Sequence, residues 1–365
     1  MNKVNNLRQC LSGTPYDFVF INETWLNSNV DDALLSVPNY TLIRRDRTSK
    51  RGGGLLVLHK SHYVVQEVRS FDAASSFEYI CVDYKSAVSG TVVRFLCIYL
   101  APDLAQKREN IKLLCDCIQF YKNERSLFYV FGDFNLPMIN WNNLSTPSNC
   151  ANIFLDYCIS EGLEQLILES TTTNDSTIDL FLCNDIASRI LSGVKVLPPL
   201  TSTCDHSIIE FHMTVQCAKK NEQANSSYSY ESGDYDSINY HLSKIDWLNI
   251  FNELNNDIQK IYDRFLEIIH GLIKQYVPVK VCNNTIKFPR VIKDLARRKR
   301  NLYRKCKKDK TFCKMYKDVS KEYDRKIDWW FEEKEKKIIN SKKDSYFYSY
   351  ANKKTEISSV NPPIN

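Results

Sequence analysis

The stretch Phe128-Tyr-Val-Phe-Gly-Asp-Phe-Asn135 decides the fold, because it is an apolar run that stops on a carboxylate and an amide. Four other apolar runs border on acid, phenol or imidazole side chains: 17–25, 93–99, 178–182 and 204–213. A strand that ends on a polar side chain places it at the rim of a sheet, where strand ends from distant parts of the chain can meet. These endings therefore predict one convergent site.

The composition is that of an ordinary soluble protein. The chain has 365 residues, of which 43% are hydrophobic and 25% charged, so a full core is expected. No apolar run approaches the roughly 18 residues of a transmembrane helix. The N-terminal segment lacks the apolar stretch of a secretory signal. We therefore expect an intracellular protein with no membrane partner.

The net charge of +6 hides an asymmetry along the chain. Residues 281–365 carry 24 Lys and Arg against 11 Asp and Glu, a net charge of +13, whereas the rest of the chain carries −7. A basic tail on an acidic body favours a polyanionic partner. A solvated helical face is the competing interpretation.

Short β-rich runs separated by turns fill residues 16 to 216, and only 105–122 and 150–163 show helical periodicity. The predicted strands are 17–23, 53–59, 78–84, 91–100, 126–132, 178–183, 192–197 and 207–215. A doubly wound sheet would need a helix after nearly every strand. The pattern instead predicts two mainly antiparallel sheets packed together with helices on their outer faces, an α+β sandwich of α/β/β/α layers.

Three regions are predicted: a domain over 1–216, a polar linker over 217–237, and a helical basic region over 238–365. The last region contains amphipathic helix over 238–276 and two basic helices over 290–309 and 312–345, forming a hairpin that breaks near 308–311. Its tyrosines and tryptophans favour a packing seam over base stacking. The cysteine spacing favours reduced, buried side chains over disulfides or zinc ligands.

The strand-end residues suit phosphodiester chemistry, although each alone has a simpler explanation. Asp133 and Asn135 leave their strand on one side, where a carboxylate can accept a proton from water. The simpler explanation is a turn at the end of the strand, since Gly-Asp and Asn are common in turns. An imidazolium at His206 could stabilise phosphate charge if Asp179 oriented it. Glu23 is a hard oxygen ligand suited to Mg²⁺, and Tyr99 could donate to a phosphate oxygen.

Taken in order, the motifs resemble the endonuclease/exonuclease/phosphatase superfamily, and more narrowly the endonuclease region of a LINE-type (non-LTR) retrotransposon polyprotein. The resemblance covers about residues 1–216, and the basic tail is similar to the segment that joins endonuclease to reverse transcriptase in such polyproteins. The motifs that carry it are Ile21-Asn-Glu-Thr-Trp-Leu26, Arg44-Arg-Asp-Arg47, Arg51-Gly-Gly-Gly54, Tyr99-Leu-Ala-Pro102, Gly132-Asp-Phe-Asn135 followed by Trp141, and Cys204-Asp-His206.

The resemblance implies a Mg²⁺-dependent DNA endonuclease, with Mn²⁺ as an alternative ion, that leaves a 3′-hydroxyl to prime reverse transcription. The implied metal ligands are Glu23 and Asp205. The implied catalytic residues are Asp133 to activate water, Asn135 to position it, Asp179 to orient His206, and Tyr99 to contact phosphate. The predicted nucleic-acid-binding residues are Arg51, Arg297, Arg298, Lys299 and Arg300, with target DNA and element RNA as partners in the nucleus.

Two departures from the family pattern keep alternatives open. The family opens with a strand that carries an Asn near the metal, whereas here the predicted helix over 2–11 comes first, so that strand is expected to be missing. Cys204 also stands where a Ser usually precedes Asp-His. A catalytically dead remnant that only binds nucleic acid therefore remains an alternative, as does a repair-type apurinic endonuclease or a phosphatase.

Overall fold

The computed structural model describes residues 3–13, 16–47, 52–68, 71–72, 76–123, 126–215, 225–254, 257–282 and 288–340. The chain divides into two compact units, one formed by 1–218 together with 286–365 and the other by 219–285. Among the described residues no helix is long and apolar enough to cross a membrane.

The first unit is built on a six-stranded sheet. Its strands, in spatial order, are β4 (Val65–Glu67), β5 (Glu78–Lys85), β6 (Val92–Tyr99), β7 (Leu127–Asp133), β9 (Asp179–Cys183) and β8 (Glu164–Gln165). All neighbours are antiparallel except β6 and β7, which run parallel because helices connect them. These helices are α3 (Pro102–Ala105) and α4 (Arg108–Tyr121).

The second layer of strands comprises a three-stranded sheet and a separate hairpin. The sheet has the order β1 (Phe18–Asn22), β3 (Leu55–Lys60) and β2 (Tyr40–Arg45), and the hairpin pairs β10 (Leu191–Leu197) with β11 (Ile208–Met213). Both pack on one face of the six-stranded sheet: Phe131 contacts Phe20 at a ring-centroid distance of 4.5 Å and Phe211 at 6.1 Å. This apolar interface is the centre of the fold.

Helices cover the two outer faces. The apolar stripe of α4, which includes Ile111, Leu114 and Ile118, packs with α5 (Asn149–Ser160) against the free face of the six-stranded sheet. On the opposite side Leu11 of α1 (Val4–Gly13) packs on Leu56 and Leu58. Short helices α2 (Asp32–Leu35) and α6 (Asp185–Ser188) complete this part of the chain. The predicted α/β/β/α sandwich is confirmed.

All eight predicted strands are present, and three further strands in the described part of residues 1–218 escaped prediction. Strands β4 and β8 have three and two residues, too few to show an alternating pattern. Strand β2 pairs only with β3, and its two terminal arginines obscure its apolar face.

The basic helices form an antiparallel pair, α10 (Arg290–Lys308) and α11 (Cys313–Asn340), which we call the basic hairpin. The break falls at the 3₁₀ turn Lys310–Phe312, within the predicted region. Tyr303, Tyr316 and Tyr323 are buried in the seam as predicted, whereas Trp329 is exposed. The expectation of reduced cysteines is wrong at one place: Cys306 and Cys313 form a disulfide, because the turn brings the two helix ends together.

The second unit is small and mostly helical. It contains α7 (Tyr235–Ser243), α8 (Trp247–Glu253) and α9 (Ile258–Tyr276), with β12 (Asn225–Tyr228) paired to β13 (Val279–Cys282). The described part of the predicted linker, 225–237, therefore contains a strand and the start of a helix. Residues 238–365 form one region in the prediction, whereas the contacts place the basic hairpin with residues 1–218.

Candidate active site

Gly132 lets strand β7 deliver Asp133 to the rim of the six-stranded sheet. Its φ angle is +138°, and a Cβ atom at this position would lie 1.9 Å from the carbonyl oxygen of Ile98. Only glycine tolerates both conditions. Past the strand, the N–H of Phe134 donates to the carbonyl of Ile178 at 2.9 Å, so the end of β7 stays bound to the start of β9.

Asp133 is a buried carboxylate with a raised pKa. It is 3% exposed, and its Oδ1 accepts the backbone N–H of Asn135 at 3.1 Å. Its pKa is raised to about 7, mainly by burial and also by the nearby Asp179 carboxylate, while His206 opposes the rise. A carboxyl group with a pKa near neutrality suits a general base that takes a proton from water.

Asp179 and His206 form a direct pair beside Asp133. The β7–β9 register places Asp179 opposite Asp133, and Nδ1 of His206 lies 2.9 Å and 3.0 Å from the two Asp179 carboxylate oxygens. The other ring nitrogen, Nε2, lies 4.0 Å from Oδ2 of Asp133. The hydrogen bond to Asp179 raises the pKa of His206 to about 9, against the opposing effect of burial. The ring is therefore an imidazolium at neutral pH.

Backbone contacts between two loops hold His206 in place. Thr172 and His206 form an isolated β-bridge, and the Ser207 N–H donates to the Thr171 carbonyl at 2.7 Å. The Thr171 hydroxyl accepts the N–H of Asp179 at 3.1 Å, so Thr171 joins the backbone of Asp179 to that of Ser207, the neighbour of His206. Sequence reasoning missed Thr171, since a threonine in a polar loop gives no distinguishing signal.

Asn135 lies at the same rim, half-buried and with a φ angle of +49°. Its side-chain amide donates to the Leu100 carbonyl at 2.9 Å, which fixes the orientation of the group. The amide oxygen of the side chain can accept a hydrogen bond from a water molecule or from a protonated phosphate oxygen.

Glu23 and Tyr99 form the other half of the site, and the Tyr99 hydroxyl donates to Oε1 of Glu23. Tyr99 is buried, and burial together with the Glu23 carboxylate raises its pKa, so the phenol keeps its proton. Asn22, next to Glu23, is tied into the core, since its amide donates to the Ile98 carbonyl at 3.0 Å.

The triple-glycine segment supports the turn that carries Glu23. Glu23 and Trp25 have φ angles of 54° and 55°, and the N–H of Trp25 donates to the carbonyl of Gly53 at 2.9 Å. A Cβ atom on Gly54 would lie 2.5 Å from the Thr24 hydroxyl, so the segment must approach closely. Arg47 lies over the Tyr99 ring, with its guanidinium carbon 5.4 Å from the ring centroid. It belongs to the Arg44-Arg-Asp-Arg47 motif, but no role for it is predicted from the sequence.

The described residues contain no group of three or more His, Cys, Asp or Glu side chains arranged to hold a metal ion. Mg²⁺ takes one or two protein carboxylates and keeps waters as its other ligands. Of the two predicted ligands, Glu23 contacts Tyr99, and Asp205 is exposed next to His206 in the chain.

The predicted nucleic-acid-binding residues divide into three groups. Arg51 lies outside the described residues. Arg297, Arg298 and Arg300 are exposed on α10. Lys299 is 5% exposed and its ammonium donates to the carbonyls of Pro199 and Leu200, so the prediction that it binds phosphate is wrong. Helical periodicity turns this position toward the protein while its neighbours face solvent.

Comparison with known proteins agrees with the predicted resemblance. Residues 93–210 match the family described as "Endonuclease-reverse transcriptase". This segment contains Tyr99, Asp133, Asn135, Asp179, Asp205 and His206. No curated protein gives a significant match.

Solved structures with a similar arrangement include three nucleic-acid enzymes. The endonuclease domain of TRAS1, a telomere-specific non-LTR retrotransposon, is 13% identical with a TM-score of 0.47, and the match covers 59% of this chain and 93% of that one. The 3′ phosphatase NExo from Neisseria is 14% identical, with a TM-score of 0.45 and coverages of 58% and 95%. An AP endonuclease from Archaeoglobus fulgidus is 12% identical, with a TM-score of 0.44 and coverages of 59% and 95%.

Proposed function

We propose that this chain is a divalent-metal-dependent DNA endonuclease of a non-LTR retrotransposon, and the match of residues 93–210 to the endonuclease-reverse transcriptase family supports the proposal. The observation that carries the proposal is the contact of Asp133, Asp179 and His206 at one sheet rim. A buried base beside an oriented imidazolium suits attack of water on a phosphodiester.

In the proposed mechanism the residues of this chain handle the proton and the phosphate charge. Asp133 accepts a proton from the water that attacks phosphorus, and Asn135 orients that water. The new P–O bond forms in line with the P–O3′ bond that breaks, so the phosphate stays on the 5′ side, and the leaving oxygen takes up a proton from solvent to become a 3′-hydroxyl. His206, held by Asp179, and the Tyr99 hydroxyl stabilise charge on the phosphate oxygens.

Glu23 and Asp205 would hold the metal ion, Mg²⁺ or Mn²⁺. When bound, the ion would neutralise charge that develops on the leaving oxygen. Both ligands are carboxylates, the donor type that these hard cations prefer.

The proposed partner of the basic hairpin is the phosphate backbone of target DNA or element RNA, and the proposed place of action is the nucleus. Arg297, Arg298 and Arg300 are exposed on one helix of a region with a strong positive charge. Replacing all three by Gln should lower the slope of log K against log salt by up to about 0.9 for each lost phosphate contact on duplex DNA. An unchanged slope would remove these residues from the interface.

The decisive experiment is nicking of supercoiled plasmid by the purified chain with MgCl₂ or MnCl₂, with EDTA as the metal-free arm. We expect open-circular product whose 3′ ends a DNA polymerase can extend. Comparing the nicking of equal amounts of intact duplex and of duplex with one abasic site distinguishes a retrotransposon-type nickase from a repair enzyme. Failure with both ions would reject the enzyme and leave the alternative of a chain that only binds nucleic acid.

A further inference from the structure

The basic hairpin contacts the loop that carries Asp205 and His206 and also the facing loop over 170–175. We propose that Lys299 and Tyr303, on α10, are positioning residues that fix these loops and so place His206 at the candidate active site. The inference rests on the proposed function only for its consequence on nicking. The structural coupling is independent of catalysis and can be measured without it.

The loop that leads into Asp205 is bound to the hairpin at two points. The Lys299 ammonium, buried among helix and loop, donates to the carbonyls of Pro199 and Leu200 at 2.9 Å and 3.0 Å. The Asp324 carboxylate on α11 accepts the N–H of Ser202 at 2.7 Å. These contacts engage backbone groups of the loop that lie outside the strands, four to seven residues before His206.

The residue after His206 is bound to the same helix. The Tyr303 hydroxyl lies 2.7 Å from the Ser207 hydroxyl, and Tyr303 is buried. The facing loop is held as well: the Lys307 ammonium donates to the Ser170 hydroxyl at 2.8 Å, and Lys310 pairs with Asp175 at 2.6 Å. Since Thr171 and Thr172 contact Ser207 and His206, both sides of the His206 backbone are connected to the hairpin.

The hydrogen bonds between the basic hairpin and the loops next to His206 fix the position of the loops more closely than apolar packing does. Among the described residues, the buried members of the hairpin's apolar cluster lie in α10 and α11, apart from Phe288 just before α10. The contacts named above between the hairpin and the two loops are directional hydrogen bonds and an ion pair, which set a position. A buried ammonium is costly unless it is hydrogen-bonded, so Lys299 holds the two carbonyls firmly.

The test compares Tyr303→Phe and Lys299→Met with matched controls in the full chain. Tyr316→Phe removes a buried hydroxyl from the same seam, and Lys317→Met makes the same change at an exposed position on α11. Hydrogen exchange of peptides covering 199–207 should become about tenfold faster in the two test variants, while exchange in β7 stays unchanged. The ring signals of His206 in histidine-labelled protein, assigned by their loss in His206→Gln, should shift or broaden.

Nicking assays of the same variants measure the effect of this positioning on catalysis. Tyr303→Phe and Lys299→Met should lower kcat by about 10- to 100-fold with little change in KM, because a displacement of roughly 1 Å has that effect on positioned groups. Unchanged exchange and unchanged His206 signals in both test variants would overturn the proposal. If the wild-type chain does not nick, the proposed function fails, while exchange and the His206 signals still decide the positioning role.

Discussion

The two halves of the candidate site are built in different ways. Asp133, Asp179 and His206 form a closed set, partly or fully buried, in which each side chain faces a charged neighbour. Glu23 instead follows an irregular turn with positive φ angles, and its carboxylate contacts a neutral phenol. In the first half the charged groups face one another before any ligand binds. In the second half, none of the described contacts pairs the Glu23 carboxylate with a cation.

This difference assigns different chemistry to the two halves. A preorganised base and imidazolium suit proton transfer and charge stabilisation, which need fixed geometry. A carboxylate beside a proton-bearing phenol suits a cation that brings its own waters. Substitutions in the first half should therefore affect the rate at any metal concentration, while substitutions in the second should depend on metal.

Asp133→Ala should give the largest effect. Loss of the proposed general base should lower the rate of plasmid nicking by about 10³- to 10⁴-fold, with DNA affinity little changed, because the role proposed for Asp133 is to take a proton from water and not to bind DNA. Steady-state nicking and binding to an uncleaved duplex provide the two measurements. Asp116→Ala, at an exposed position on α4, is the control. Persistent activity would show that another group takes the proton.

Asp179→Asn should lower kcat by about 10²-fold, since the amide keeps the size of the side chain but lacks the charge that holds the imidazolium. The loss should be the same at low and high Mg²⁺. If raising the Mg²⁺ concentration restored the rate, the half formed by Asp133, Asp179 and His206 would also help to bind the metal. The contrast between the two halves would then disappear.

Glu23→Gln should raise the Mg²⁺ concentration needed for half-maximal nicking by about 10- to 100-fold, because a neutral amide is a weaker ligand for a hard cation. Tyr99→Phe, which removes the neighbouring phenol without removing the carboxylate, should lower kcat without a comparable change in metal requirement. Metal titrations of both variants make the comparison. An equal metal requirement in wild type and Glu23→Gln would exclude Glu23 as a ligand.

The smallest effect concerns stability in the absence of metal. The pKa of His206 is raised to about 9, so its stabilising contribution is complete below about 6.5 and is lost as pH rises through about 9. The groups that face the ring are Asp179, Asp133 and Asp205. His206→Gln should cost about 1 to 2 kcal/mol at pH 6, allowing for solvent screening, and little at pH 10. Urea unfolding measures the difference, with His62→Gln as the exposed control; a pH-independent difference would contradict the assignment.

Much of the fold could be predicted because long apolar runs show their periodicity locally. The runs at 78–84 and 91–100 became β5 and β6, and the run before Asp133 became β7. Strands of two or three residues carry no such pattern, which is why β4 and β8 were missed. The disulfide between Cys306 and Cys313 was missed for a related reason, since spacing along the chain does not reveal where a turn brings two helix ends.

The sequence by itself determined which chemical groups stand at strand ends, since strand periodicity and the polar residues that interrupt it are local properties. Only the tertiary structure decided that Asp133 lies opposite Asp179, that burial brings its pKa near neutrality, and that Lys299 holds a loop instead of a phosphate. Sheet register, burial and the docking of the basic hairpin depend on residues tens to hundreds of positions apart. Their electrostatic consequences therefore arise only when the chain has folded.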